Sequence, residues 1–139
     1  MMSFQDDKPM NEFPIDRLSA VQPSTRLALY HRLTLAKKFI ETNYIDELTV
    51  KEISMEVGIS EYHFFRLFKS LFHTTPYQYL LRVRIQHAYS LLQTGTCTVS
   101  QVAYAVGFTD LFSFSKFFKK HMGIPPSRIL KKQADLKAA

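Results

Sequence analysis

Cysteine, glycine and tryptophan are scarce in this 139-residue sequence, which contains one Cys, four Gly and no Trp. The lone cysteine, Cys97, excludes an internal disulfide and any metal site built from several thiolates, and it is typical of a reducing compartment. No apolar run is long enough to span a bilayer, and no segment resembles a signal peptide. We therefore expect a cytoplasmic protein without membrane contact.

Motifs of catalysis and cofactor binding are also missing. The five histidines include no pair at positions i and i+4 with a glutamate between them, which is the spacing of many zinc enzymes. No glycine-rich phosphate-binding motif occurs either. Cys97 is interpreted as a packed or merely exposed thiol rather than a redox sensor. We expect no enzyme activity, no metal and no cofactor.

Acidic residues are almost absent from residues 62–132, which contain ten Lys or Arg and one acid, Asp110. This segment carries a net charge of +9, whereas residues 1–22 carry −2 and the whole chain carries +6. Such a concentration of positive charge is typical of proteins that bind a polyanion such as nucleic acid. The alternative is a basic, solvated surface that improves solubility.

A duplication is the most informative feature that is present. The segment "TVKEISMEVGIS" from Thr49 is nearly repeated as "TVSQVAYAVGFT" from Thr98, 49 positions later. The segments that follow, "HFFRLFKSLFHTTP" and "SFSKFFKKHMGIPP", match at an offset of 50, so the second copy has one extra residue in its turn. A repeat of this kind indicates two units of the same design.

Each copy predicts a helix, a glycine turn and a second helix. Thr49 and Thr98 each open a capping box, because a Glu or Gln follows three positions later. Gly58 and Gly107 are suited to end the first helices in a left-handed conformation. The candidate caps of the second helices are Ser60 or Glu61 and Thr109 or Asp110. This arrangement is the helix-turn-helix motif.

The rest of the sequence also predicts helices and no strands. A helix is expected from Ser24 to about Asn43, a long one from Pro76 between the two copies, and a final one in "PPSRILKKQADLKA". The fold class is thus all-α, with about seven helices in two helix-turn-helix lobes joined by a connecting helix. The expected buried positions are Leu29, Leu33, Ala36, Ile40, Phe64, Leu67, Phe68, Leu71, Leu80, Val83, Ala88, Leu91 or Leu92, Phe114, Phe117, Phe118 and Met122.

The segments "LTVKEISMEVGIS", "FRLFK", "TTPYQYL", "RIQHAYSLL", "VAYAVGFTD" and "SKFFKKHMGIPP" resemble the DNA-binding domain of the AraC/XylS family of bacterial transcription regulators. The resemblance covers about residues 48–130. It implies that the second helices of both lobes enter successive major grooves on one side of the duplex, where grooves recur at about 34 Å. It also implies double-stranded DNA and RNA polymerase as partners, and a role as an activator in the bacterial cytoplasm, associated with the nucleoid.

The domain boundaries expected from this resemblance are a tail or linker over residues 1–22 and a DNA-binding domain over 23–139. Within it, lobe one takes about 24–75, the connecting helix about 76–93 and lobe two about 97–137. The first repeat begins at Thr49, so the chain is either a stand-alone regulator or the end of a longer polypeptide. We expect no small-molecule effector site within it.

The second helix of each helix-turn-helix motif is called its reading helix. In the first reading helix, the base-contacting positions implied by the family fall on Tyr62, Phe65 and Arg66. Arg66 can bond guanine O6 and N7 together through its planar fork; the alternative is an ion pair with Glu61 or simple solvation. For Phe65, contact with a thymine methyl and packing against its own lobe remain equal alternatives.

In the second reading helix, the matching positions are Leu111, Phe112, Ser115 and Lys116. Because Leu111 and Phe112 are apolar, we expect this lobe to read methyl groups, or to anchor mainly through phosphates. Asp110 is interpreted as a helix cap. The candidate phosphate contacts of both lobes are Thr49, His63, Lys69, Thr98, Lys119 and Lys120.

Two further interpretations stay open. The fold could serve as a protein-interaction module that binds through Phe65, Leu111 and Phe112 without specific DNA binding. Arg84, on the connecting helix, is expected either to face solvent or DNA or to act as a structural bridge between the lobes. RNA is a less suitable partner, because an α-helix fits the major groove of B-form DNA and not the narrow groove of A-form RNA.

Overall fold

The structure, a computed structural model, describes residues 23–138, and within that range helices are the only regular secondary structure, as predicted. Seven helices are present in the described residues: α1 (Pro23–Thr42), α2 (Val50–Glu56), α3 (Glu61–Phe72), α4 (Pro76–Thr94), α5 (Val99–Ala105), α6 (Leu111–Met122) and α7 (Pro126–Ala138). The predicted tail, residues 1–22, lies outside the described residues.

Both predicted capping boxes are confirmed. The Thr49 hydroxyl accepts from the Glu52 backbone amide at 3.1 Å, and the Glu52 carboxylate accepts from the Thr49 amide at 2.9 Å. Thr98 and Gln101 form the same two bonds, also at 3.1 and 2.9 Å. These bonds satisfy backbone donors that the first turn of a helix leaves free, so α2 and α5 begin at the residues following the threonines.

The remaining caps show which of the candidate residues are used. Ser60 caps α3, and its hydroxyl accepts from the His63 amide at 3.4 Å. Asp110 caps α6 by accepting from the Ser113 amide at 2.7 Å, and this bond lowers the pKa of the Asp110 carboxyl. A third reciprocal pair was not predicted from the sequence: Thr75 and Gln78 bond across the start of α4 at 3.1 and 3.2 Å.

The two glycine turns have the predicted backbone conformation. Gly58 and Gly107 have φ values of +67° and +99°. Beyond each glycine the amide of the next residue bonds back to the preceding helix, from Ile59 to the Ser54 carbonyl at 3.1 Å and from Phe108 to the Ala103 carbonyl at 3.0 Å. This is the Schellman ending of a helix. The second turn is one residue longer than the first, as the offset of the repeats predicted.

The described residues divide into two compact units, and the first comprises residues 23–43 and 48–80. Aromatic rings organise its core, where Phe68 lies 5.6 Å from Phe64, 4.8 Å from Phe72 and 6.0 Å from Tyr79, measured between ring centroids. Tilted and edge-on contacts of this kind are favourable beyond the area they bury. The other buried apolar residues of this unit include Leu33, Ala36, Ile40, Ile53, Leu71 and Leu80. The predicted positions Leu29 and Leu67 are only half-buried.

The second unit comprises residues 44–47 and 81–138. Its core contains two phenylalanine contacts, Phe108 with Phe114 at 5.2 Å and Phe114 with Phe118 at 5.7 Å. The cluster is completed by Leu81, Ile85, Ala88, Leu92, Val102, Ala103, Val106 and Ile129, with Phe117, Met122, Leu91 and Cys97 partly buried against it. Since α4 supplies Tyr79 and Leu80 to the first core and four residues to the second, one helix contributes to both units.

Arg84 is buried within the second unit, with 7% of its area exposed. Its Nε donates to the Tyr44 carbonyl at 2.6 Å and its Nη2 to the Asp46 carbonyl at 2.8 Å. The Tyr44 ring also stacks on His87 of α4 at 4.0 Å, and burial lowers the pKa of His87. Of the two alternatives expected for Arg84, exposure to solvent or DNA is therefore wrong, and the side chain has a structural role, because its donors hold residues 44–47 against α4.

Candidate nucleic-acid interface

The outward face of α3 follows from its amphipathic sequence. Phe64, Phe68, Leu71 and Phe72 are buried, so the intervening positions are directed away from the core. Tyr62 is 66% exposed, Phe65 is 38% exposed, and both Arg66 and Lys69 are exposed. All three base-contacting candidates of the first unit thus lie on the exposed face of α3.

Tyr62 and Arg66 form a pair on this face. Arg66 Nη1 donates to the Tyr62 hydroxyl at 2.6 Å, and the guanidinium carbon lies 5.5 Å from the centroid of the Tyr62 ring. The residues are four positions apart, which places them on adjacent turns of the helix. The bond restrains a long side chain before any ligand arrives, and it leaves other guanidinium N–H groups as donors. This pair was not predicted from the sequence, although its i, i+4 spacing is visible there.

The outward face of α6 has a different chemistry. Phe112 is 77% exposed and Leu111 is 38% exposed, while Lys116 is exposed and Ser115 is half-buried. At the repeat offset of 50, Phe112 occupies the position of Tyr62 and Lys116 that of Arg66. The second unit therefore has neither the phenol hydroxyl nor the planar fork at these two positions.

The predicted phosphate contacts are all exposed on their own units. Thr49 and Thr98 use their hydroxyls as caps, and the His63 ring lies 3.0 Å from the Ser60 hydroxyl. Lys69 lies in the last turn of α3, and Lys119 and Lys120 lie in the last turn of α6. Lysines at these places also complement the negative end of the helix dipole, so their position alone has a structural explanation.

Positive charge at the end of α6 also affects His121, whose ring stacks on Phe117 at 4.1 Å. Burial lowers the pKa of His121 first, and the charges of Arg82 and Lys120 lower it further. The imidazole is therefore mainly neutral near pH 7. The lysines, and not this histidine, supply the positive charge here.

Two helix-turn-helix motifs, each with an exposed and basic second helix, define a DNA-binding protein of the helix-turn-helix class. Residues 53–132 match the helix-turn-helix domain family of AraC-type regulators. The chain belongs to the AraC/XylS family of transcription regulators, as its sequence motifs implied. No helix among residues 23–138 is both long and apolar enough to cross a membrane.

Several known proteins that are similar to this chain are named as transcription regulators. The lactose operon transcription activator of Staphylococcus xylosus is 37% identical over 92 residues, which are 66% of this chain and 33% of that protein. An AraC-type regulator structure from Chromobacterium violaceum has a TM-score of 0.70 and 31% identity, covering 76% of this chain and 94% of that one. The DNA-binding domain of AdpA, solved with a target DNA, has a TM-score of 0.67 and 24% identity, covering 76% and 93%, and shares the fold. The chain spans about a third of the length of the lactose operon activator.

Proposed function

We propose that this chain is a sequence-specific transcription activator that reads two successive major grooves, one with α3 and one with α6. The observation that carries the proposal is the exposed Tyr62–Arg66 pair on the second helix of a fully capped helix-turn-helix. The name of the lactose operon transcription activator supports activation, which would proceed through contact with RNA polymerase. The site of action is the bacterial cytoplasm, at the nucleoid.

Arg66 is the principal reader of the first groove. Its guanidinium bonds guanine O6 and N7, a contact that contributes about 1–3 kcal/mol of discrimination against the wrong base. The Tyr62 hydroxyl keeps the side chain in place, and Phe65 flanks it at the base edges. Lys69, together with the cap of α2 at Thr49, fixes the register of the helix on the phosphates.

The lysines of α6 and the cap of α5 at Thr98 anchor the second unit in the same way. If about six phosphates are neutralised in total, the logarithm of the affinity falls with the logarithm of salt concentration with a slope of about −5. This dependence is part of the proposal, because it follows from the clustered positive charge.

Selection of bound duplexes from a random pool tests the proposal directly. Two preferred blocks separated by about one helical turn, or roughly 10 base pairs, are expected. A single preferred block would contradict reading by both units. Failure to bind duplex of any sequence at low ionic strength would contradict DNA binding altogether.

A second candidate function is a protein-interaction module, which the 77% exposure of Phe112 favours. In that case Phe65, Leu111 and Phe112 would bury their apolar area against another protein. Salt distinguishes the two functions, because DNA binding weakens steeply as salt is added whereas an apolar interface hardly responds. Titration of the complex against increasing salt therefore decides between them.

A further inference from the structure

The first turn of α6 exposes an apolar tip made of Leu111 and Phe112. Leu111 and Phe112 are the first two residues of the helix, and they are 38% and 77% exposed. The first turn of a reading helix is the part that contacts base edges in the major groove. Because removing apolar side-chain area from water is favourable, a ligand that covers this tip would gain affinity from the contact.

The duplication supplies an internal comparison for this tip. In α3, the equivalent of Phe112 is Tyr62, whose hydroxyl accepts from Arg66 at 2.6 Å. In α6, Phe112 has no polar atom in its side chain, and Lys116 is a single ammonium group without a planar fork. The two units thus differ in the kind of base edge that they can distinguish.

The largest apolar group on the base edges of the major groove is the C5 methyl of thymine, whereas cytosine carries only a hydrogen at the same position. The other groups there are hydrogen-bond donors and acceptors, which neither Leu111 nor Phe112 can pair. An apolar tip therefore discriminates thymine by its methyl group and has no favourable contact to offer guanine or adenine.

The charges of α6 favour DNA over a protein as the occupant. The twelve residues of the helix, "LFSFSKFFKKHM", contain three lysines and no acid. Lys116 follows Phe112 by four positions, one turn along the helix, and is exposed. In the major groove, the apolar tip can contact a thymine methyl group while the lysines further along the helix contact the flanking phosphates.

We infer that α6 selects its half of the binding site through thymine methyl groups, with Phe112 as the main contact and Leu111 as the second. This inference rests on the proposed function, since it requires that α6 enter a major groove. It names thymine as the base recognised in the half of the DNA site that α6 contacts, where the helix offers few groups for hydrogen bonds to bases.

The test replaces thymine by deoxyuridine in a duplex obtained from the random-pool selection. Deoxyuridine lacks only the methyl group and keeps every hydrogen-bonding atom of the base edge. The block read by α3 is the one relaxed in Arg66→Ala, and the other selected block is the one read by α6. Replacing the thymines of the α6 block should weaken binding of the unaltered protein about fourfold for each contacted methyl.

The matched control is the same pair of duplexes with Phe112→Ala. This variant should bind the thymine duplex more weakly and should distinguish thymine from deoxyuridine by a smaller factor, because only the Leu111 contact remains. Because Phe112 is largely exposed, its removal should leave the helical circular dichroism and the thermal midpoint unchanged, and the weaker binding can then be assigned to the lost contact.

Equal affinity of the unaltered protein for the thymine and deoxyuridine duplexes would overturn the inference. The proposed function would still stand if changes in the α3 block weakened binding. Unchanged DNA affinity in Phe112→Ala would also overturn the inference, and would leave a protein as the alternative occupant of the apolar tip. Failure of the proposed function itself looks different, because every duplex would then bind equally or not at all.

Discussion

Replacing Arg84 by methionine should destabilise the second unit. Methionine keeps most of the length of the side chain but removes the charge and the two donors that contact the Tyr44 and Asp46 carbonyls at 2.6 and 2.8 Å. A hydrogen bond from a charged donor contributes about 1.5–3 kcal/mol, and part of the loss is offset because the buried charge is also removed. We expect the free energy of unfolding to fall by about 2–4 kcal/mol.

The assay is urea unfolding followed by far-ultraviolet circular dichroism, with Arg82→Met as the matched control. Arg82 lies two positions earlier on α4 and is half-exposed, so its replacement should change the free energy of unfolding by less than about 1 kcal/mol. If the two variants unfold at the same urea concentration with the same slope, the argument that Arg84 holds residues 44–47 in place is refuted.

Three further predictions concern the turns and the reading helices. Gly107→Ala should lower the free energy of unfolding by about 2–5 kcal/mol, because φ is +99° and a Cβ would lie 2.9 Å from both a buried guanidinium and a backbone carbonyl. Gly58→Ala is its control and should cost about 1 kcal/mol, since at φ +67° the nearest atom would be 3.9 Å away; equal losses in urea unfolding would contradict the steric argument. Tyr62→Phe removes only the hydroxyl that accepts from Arg66, and should reduce affinity for the selected duplex about two- to tenfold in fluorescence anisotropy; an unchanged affinity would show that the bond does not position the guanidinium. Lys119→Ala should weaken binding to all duplexes alike and reduce the magnitude of the slope of log affinity against log salt by about one. An unchanged slope would exclude a phosphate contact.

The sequence predicted those parts of the fold that depend on neighbouring residues. The capping boxes at Thr49 and Thr98, the left-handed Gly58 and Gly107, and the proline start of α4 all involve interactions within a few positions. Such interactions are encoded locally, so residue type and spacing are sufficient to find them. The helix faces were predicted for the same reason, with errors limited to positions such as Leu67 at the edge of a buried stripe.

The partners of Arg84 could not be predicted, because they are about 40 positions away and are backbone carbonyls. A carbonyl is present at every residue, so no side-chain pattern marks Tyr44 and Asp46 as acceptors. The Tyr62–Arg66 bond is the opposite case. Its i, i+4 spacing was visible, but the choice of a neutral hydroxyl over the acid at Glu61 depends on how the side chains lie on the surface.

The two copies of the motif share two buried phenylalanines and differ at their outward positions. At the offset of 50, Phe64 and Phe68 in α3 correspond to Phe114 and Phe118 in α6, and all four are buried. Replacement of a buried phenylalanine costs about 3–5 kcal/mol, so the core admits little change. No such cost applies to exposed positions, where Tyr62 and Arg66 of α3 correspond to Phe112 and Lys116 of α6. On the proposed function, one scaffold therefore presents two chemistries to DNA, and the two halves of the binding site should differ in sequence rather than repeat.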